Sequence, residues 1–172
     1  MKKIPEVIFK TRVYDKEHNK YIWKDQNSFD IFGNKRCILM SIPGAFTPKC
    51  TTFELPEYEK EYENFKKYNI DEVYCISIND AFVMNFWGKS LGIQKTKLIP
   101  DGNGEFTKQM NKLVEKINLG MGYRSWRYTC VIKNCNVEKM FEEDGIANNI
   151  NNDPYVKTKP SEILKYLKSL TY

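Results

Sequence analysis

Apolar and polar positions alternate at the start of the chain and then change period. Over residues 6–13 the apolar Val7 and Phe9 sit two apart, which predicts a strand with one buried face. Residues 21–23 supply a partner across the polar turn 15–20, so the chain is expected to open with a β-hairpin. Residues 37–42 form a continuous apolar run that stops at Pro43-Gly44, the pattern of a strand buried on both faces. Beyond Pro48 the period lengthens. Leu55, Tyr58, Tyr62 and Phe65 fall three and four apart and predict an amphipathic helix, with Pro56 placed to bend its first turns.

A second apolar strand is predicted over residues 72–78. Asn79 and Asp80 can cap a helix over 81–91 that Gly92 ends. A short strand at 97–100 and a turn at 101–104 follow, and Phe106, Met110, Leu113 and Val114 predict another helix. Residues 128–133 and 137–141 read as two strands around the turn Asn134-Cys135-Asn136. Pro160 suits the first turn of a last helix with the stripe Ile163, Leu164, Leu167 and Leu170. The order is a β-hairpin, then βαβαβα, then ββα. It predicts an α/β fold with a mixed central sheet flanked by helices. No repeat or Pro/Gly/Ser-rich linker interrupts it, so residues 1–172 are read as one domain.

Composition narrows the function. Hydrophobic residues make up 41% and aromatics 14%, enough for a folded core. The net charge of +5 comes from scattered lysines without a stripe of interleaved stacking aromatics, so nucleic acid is not an expected partner. No run approaches the ~18 apolar residues of a membrane span, and the opening Met1-Lys2-Lys3-Ile4-Pro5 has no signal core. Five cysteines, Cys37, Cys50, Cys75, Cys130 and Cys135, are an odd number that argues against a disulfide framework. A reducing compartment is expected: the cytoplasm, or a plastid-type organelle if a targeting segment has been removed. His18, the only histidine, lies in the hairpin turn, which argues against a Cys–His hydrolase. No Cys-x-x-Cys pair is present, the gap between Cys130 and Cys135 is poor for zinc, and Gly120-Met121-Gly122 is too short for a dinucleotide loop.

The segment from Ile42 to Cys50, Ile-Pro-Gly-Ala-Phe-Thr-Pro-Lys-Cys, joins the buried strand to the first helix. Sites in open α/β sheets gather at the carboxyl ends of strands, and here that point carries Cys50. Unpaired N–H groups and the helix dipole favour a thiolate there, so a lowered pKa is expected for Cys50. Pro43 and Pro48 restrict the loop, and Thr47 can bring its hydroxyl to the sulfur. Without this context Cys50 would read as a small buried hydrophobe.

The segment resembles the peroxidatic loop of peroxiredoxins, Pro-x-x-x-Thr-x-x-Cys, which Pro43, Thr47 and Cys50 match in full. Its longer form, Pro-Gly-Ala-Phe-Thr-Pro-x-Cys, is similar to the type II or type-five class. Ser77-Ile78-Asn79-Asp80-Ala81-Phe82-Val83 with Trp87-Gly88 resembles the second signature of that class, and the stretch from Gly120 to Tyr128 the third. The resemblance covers about residues 36–145; the Asn-rich tail with Met121 and Trp126 resembles the apicomplexan antioxidant-protein branch.

This resemblance implies a thioredoxin-like fold and reduction of hydrogen peroxide and alkyl hydroperoxides, without metal or haem. It implies a homodimer packed around the active-site loop, and an aromatic collar of Phe46, Phe82, Phe86 and Trp87 near the sulfur. Cys50 would attack the peroxide, with Thr47, Pro43 and Arg127 as its catalytic partners; Arg127 begins a strand, and Arg124 reads as a surface residue. Animal members carry a late resolving cysteine, but none follows Cys135 here. Cys75 matches a cysteine of plant type II relatives that can resolve Cys50, yet its apolar strand also suits a core residue. The implied reductant is external, glutathione with glutaredoxin, or thioredoxin. The competing class is a redox-sensing or chaperone-like binding protein on the same fold.

Overall fold

The computed structural model describes residues 2–170. Strands β1 (Ile8–Asp15) and β2 (Lys20–Asn27) pair antiparallel from Ile8↔Asn27 to Asp15↔Lys20. The hairpin is longer than the alternation predicts because β2 is exposed along most of its length and carries no apolar period. A short helix α1 (Ser28–Phe32) follows, capped by Asn27, whose Oδ1 accepts from Phe29 N at 2.8 Å.

Strand β3 (Arg36–Ser41) lies at the centre of a five-stranded sheet with β4 (Glu72–Ser77), β5 (Lys97–Pro100), β8 (Tyr128–Lys133) and β9 (Asn136–Glu142), in the order β5-β4-β3-β8-β9. β3 runs parallel to β4 and antiparallel to β8, so the sheet is mixed. Helices fill both faces, as the apolar run of β3 requires. Cys37 and Leu39 face a core built with Phe9, Phe32, Phe106 and Cys130. Ile38 and Met40 face the other, built from Leu55, Tyr58, Phe65, Trp87, Ile163 and Leu167. The second core receives helices α2 (Leu55–Lys66), α3 (Ala81–Ser90) and α5 (Pro160–Ser169).

The Asp80 cap forms as expected, its carboxylate accepting from Val83 N at 2.9 Å. Pro56 falls in the first turn of α2, and a π-helical turn, Cys50–Glu54, precedes the helix, with Leu55 N donating to Cys50 O. A widened turn accommodates a proline that lacks an N–H and crowds the preceding carbonyls.

Two expectations are corrected. The helix predicted through Val114 stops early as α4 (Glu105–Gln109), because Asn111 adopts φ +60° and turns the chain away. Leu113 and Val114 enter β6 (Leu113–Glu115), which pairs with β7 (Tyr123–Ser125). The α5 stripe ends at Leu167, since Leu170 is exposed beyond the helix.

After β9 the chain crosses residues 143–159 without regular structure. Glu143 fastens this connection: its Oε1 accepts from Val156 N, Thr158 N and Thr158 Oγ1 at 2.8, 2.9 and 2.9 Å. Buried Tyr58 of α2 ties it to the sheet, donating to Thr158 O at 2.6 Å beside Thr129 Oγ1 at 2.9 Å. Tyr58→Phe leaves both oxygens short of a partner. It is expected to lower stability by about 1–3 kcal/mol, seen in urea unfolding as a lower midpoint at unchanged slope. An unchanged midpoint would show that the connection is held without Tyr58.

Candidate active site

β3 ends at Ser41, and the loop of residues 42–49 carries the chain to the π turn. Pro43 is buried under it. Thr47 Oγ1 donates to Gly44 O at 2.7 Å, and Thr51 N donates to Thr47 O at 3.0 Å. Asn79, just past β4, accepts through Oδ1 from Ala45 N at 2.9 Å and from Ser77 Oγ at 2.6 Å. The loop is thus fixed to the carboxyl ends of two neighbouring strands. Phe46 sits at its tip with φ +62°, a conformation rare for a bulky residue, and its ring points outward.

Cys50 opens the π turn and is fully buried. Arg127 Nη2 lies 3.5 Å from its Sγ. Arg127 precedes β8 rather than beginning it, because Trp126 N is drawn to Lys112 O at 2.7 Å and pairing with β3 starts at Tyr128. The guanidinium is almost wholly buried. Its Nε donates to Glu54 Oε2 at 2.8 Å, and its Nη1 to Asp153 Oδ1 at 2.6 Å and to Pro154 O. Burial opposes the charge, but Glu54, Asp153 and Cys50 outweigh it and hold the Arg127 pKa above its ordinary value. Lys49 closes the outer side, donating to the Asp153 carbonyl oxygen.

The Cys50 thiol departs from expectation. Burial and then the Glu54 carboxylate push it up to about 11, against the opposing pull of Arg127 and Thr47. The position at a helix start was expected to lower it. Desolvation and a facing carboxylate win, because both penalise a second negative charge in a closed site.

Arg124 is not a plain surface residue. Half-buried, it donates through Nη1 to Ile78 O and through Nε to Met121 O, both at 2.9 Å, and it lies under Gly44. The expected collar divides: Phe46, Phe82 and Phe86 are exposed, whereas Trp87 is buried and donates to Thr51 Oγ1 at 3.1 Å. Cys75 shares the Cys50 face of the sheet, is wholly buried, and has its thiol pushed well up by burial and then by Glu54. Cys37, Cys130 and Cys135 lie in the opposite core.

Glu54 and Asp153 escape the sequence reading. Glu54 had a signal, since it stands one helical turn after Cys50. Asp153 had none, being brought in from a distant irregular segment.

The redoxin family model matches residues 15–157. The chain is 55% identical over 171 residues to a peroxiredoxin of Rhizobium etli, covering 98% of this chain and 96% of that one. It is 48% identical over 169 residues to a peroxiredoxin of Synechocystis sp., covering 96% and 89%. Among solved structures, the Plasmodium falciparum antioxidant protein, described as a 1-Cys peroxiredoxin, superposes with a TM-score of 0.93 at 39% identity over 98% of both chains. Sheet, flanking helices and relatives agree: the fold is thioredoxin-like, and the chain belongs to the redoxin family as a peroxiredoxin, a thiol-dependent peroxidase.

Proposed function

We propose that Cys50 is the thiol that attacks the peroxide, reducing hydrogen peroxide and alkyl hydroperoxides to water and alcohols. The observation that carries this reading is the approach of Arg127 Nη2 to Cys50 Sγ at 3.5 Å, on a turn tied to the preceding loop by the Thr51 N to Thr47 O hydrogen bond. Arg127 and Thr47 orient the O–O bond and stabilise charge on the departing oxygen. Pro43 fixes the loop without touching the chemistry. Cys50 is closed off, so the peroxide reaches it only when covering residues give way.

Regeneration is proposed to use one cysteine of this chain. Glutathione takes up the Cys50 sulfenic acid, and glutaredoxin or a second glutathione releases the thiol. Cys75 lacks both access and thiolate character, and the remaining cysteines lie across the sheet. The Plasmodium relative is described as a 1-Cys peroxiredoxin, which supports the same cycle. The compartment is proposed to be a reducing one, in which the buried Cys37, Cys50, Cys75, Cys130 and Cys135 persist as thiols. Among the described residues no helix is long and apolar enough to cross a membrane.

A homodimer is proposed around the active-site loop. Phe46 packs against Phe86 with ring centroids 6.2 Å apart, and Trp23 against Phe82 at 5.5 Å, leaving four exposed aromatics for a second copy.

Cys50→Ser should abolish peroxide turnover while the fold survives; comparable consumption of peroxide by that variant would end the assignment. Arg127→Lys keeps the charge but loses the planar fork. It should slow the single-turnover reaction on the order of a hundredfold. Arg124→Lys should slow it less, since both Arg124 contacts go to backbone carbonyls. Stopped-flow kinetics decides, and a larger effect at Arg124 would reverse the two roles.

The reductive half is tested by mass spectrometry. Peroxide-treated protein given glutathione should gain one glutathione on Cys50, and Cys75→Ser should keep its turnover. A dominant Cys50–Cys75 bond after peroxide alone, with activity lost in Cys75→Ser, would establish a two-cysteine route instead.

A further inference from the structure

Glu54 is fully buried in the π turn that Cys50 opens. Its Oε2 is taken by Arg127 Nε at 2.8 Å. Its Oε1 receives no well-formed hydrogen bond from the described residues, while the Cys50 thiol lies within reach of the carboxylate. A buried oxygen left open beside a reacting sulfur is costly unless a proton visits it.

The charges around it set the condition. Arg127 is the single buried cation of the cluster, and Asp153 already occupies its Nη1. A Cys50 thiolate and a Glu54 carboxylate would both draw on what remains of that one charge. Such a pair titrates as a unit, holding one proton between two sites. Moving that proton from sulfur to Glu54 leaves the cluster's charge unchanged and frees Arg127 for the thiolate. The other groups facing Glu54 are Tyr58 on α2, Cys75 on β4, and Asp153 and Tyr155 on the 143–159 connection. Burial holds Tyr58, Tyr155 and Cys75 neutral. Glu54 itself is raised to about 7, by burial first and against the pull of Arg127.

We propose that Glu54 is a catalytic proton carrier, taking the proton from Cys50 and delivering it to the oxygen that leaves the peroxide. Cys50–SH gives its proton to the Glu54 carboxylate. The thiolate attacks the hydroxyl oxygen of HO–OR, so the S–O bond forms as the O–O bond breaks. Sulfur gives up an electron pair and becomes the sulfenic acid, and the peroxide is reduced. The departing RO⁻ takes the proton from Glu54, yielding ROH and restoring the carboxylate.

The step rests on Cys50 as the peroxide-attacking thiol, so the test separates the two. Glu54→Gln keeps an acceptor for Arg127 Nε but carries no exchangeable acid. Sulfenic acid formation is followed by stopped flow with two oxidants at one pH near neutrality. Tert-butyl hydroperoxide expels a basic alkoxide that needs a proton; peracetic acid expels acetate, which does not. The ratio of the peracetic acid rate to the tert-butyl hydroperoxide rate cancels any change in folding or thiolate fraction. That ratio should rise roughly a hundredfold in Glu54→Gln. Glu54→Asp, which withdraws the acid but keeps it, covers the case in which the first variant fails to fold, and its ratio should rise by a smaller factor. An unchanged ratio, whether both rates fall together or neither falls, overturns the proposal. The wild-type rate with peracetic acid, lost in Cys50→Ser, tests the reading of Cys50 independently.

Discussion

The guanidinium of Arg127 is placed where water does not reach, and the surrounding structure is arranged to satisfy it. An unpaired buried ion costs several kcal/mol, and removing one partner of a buried pair typically costs about 3–5 kcal/mol. Arg127 therefore recruits acceptors from two distant parts of the chain: Glu54 and the Cys50 sulfur from the π turn, and Asp153 and Pro154 from the 143–159 connection. Glu143 and Tyr58 hold that connection in place, so its lack of regular structure does not leave it loose. The position of the sulfur is in this sense a consequence of where the cation had to be paired.

The same pairing limits what Arg127 does for the thiol. A lone guanidinium beside a cysteine would lower its pKa, but here two carboxylates share the cation and desolvation acts on the sulfur directly. The closed site favours a neutral thiol. A reactive thiolate then depends on where the nearest proton can go, and the π turn puts a carboxyl group with a free oxygen within one turn of it. Pro56 contributes to this geometry by making a regular α-helical turn unfavourable at that point.

The parts of this site that were legible in the sequence are those coded locally. The apolar run of β3, its arrest at Pro43-Gly44 and the return to helical spacing placed Cys50 at the end of a central strand. The Asp80 cap and the strand Lys97–Pro100 were equally plain. What failed was either short or distant. β6 and β7 are three-residue strands, too brief for alternation to register, and apolar Leu113 and Val114 fit a helical spacing by accident. The raised thiol pKa could not be read because burial is a tertiary property. Asp153 could not be read because an exposed-looking acidic residue in an Asn-rich stretch gives no sign of the cation it meets.

The sheet also sorts the five thiols. Side chains alternate along a strand, so residues an odd number apart face opposite cores. On β3 this puts Cys37 with Phe32, and Ile38 and Met40 with Cys50. On β8 it puts Cys130 on the side of Cys37 and Val131 on the side of Cys50. A disulfide from Cys50 to Cys37 or Cys130 would have to cross the sheet, which the backbone forbids without unfolding. Only Cys75 shares the right face, and there it is packed among apolar side chains, inert as a nucleophile until the core opens. In the one-cysteine cycle proposed above, a small thiol arriving from solvent needs only a local parting of the segments that cover Cys50. That is the smaller motion, because it leaves the sheet and the apolar core around Cys75 packed.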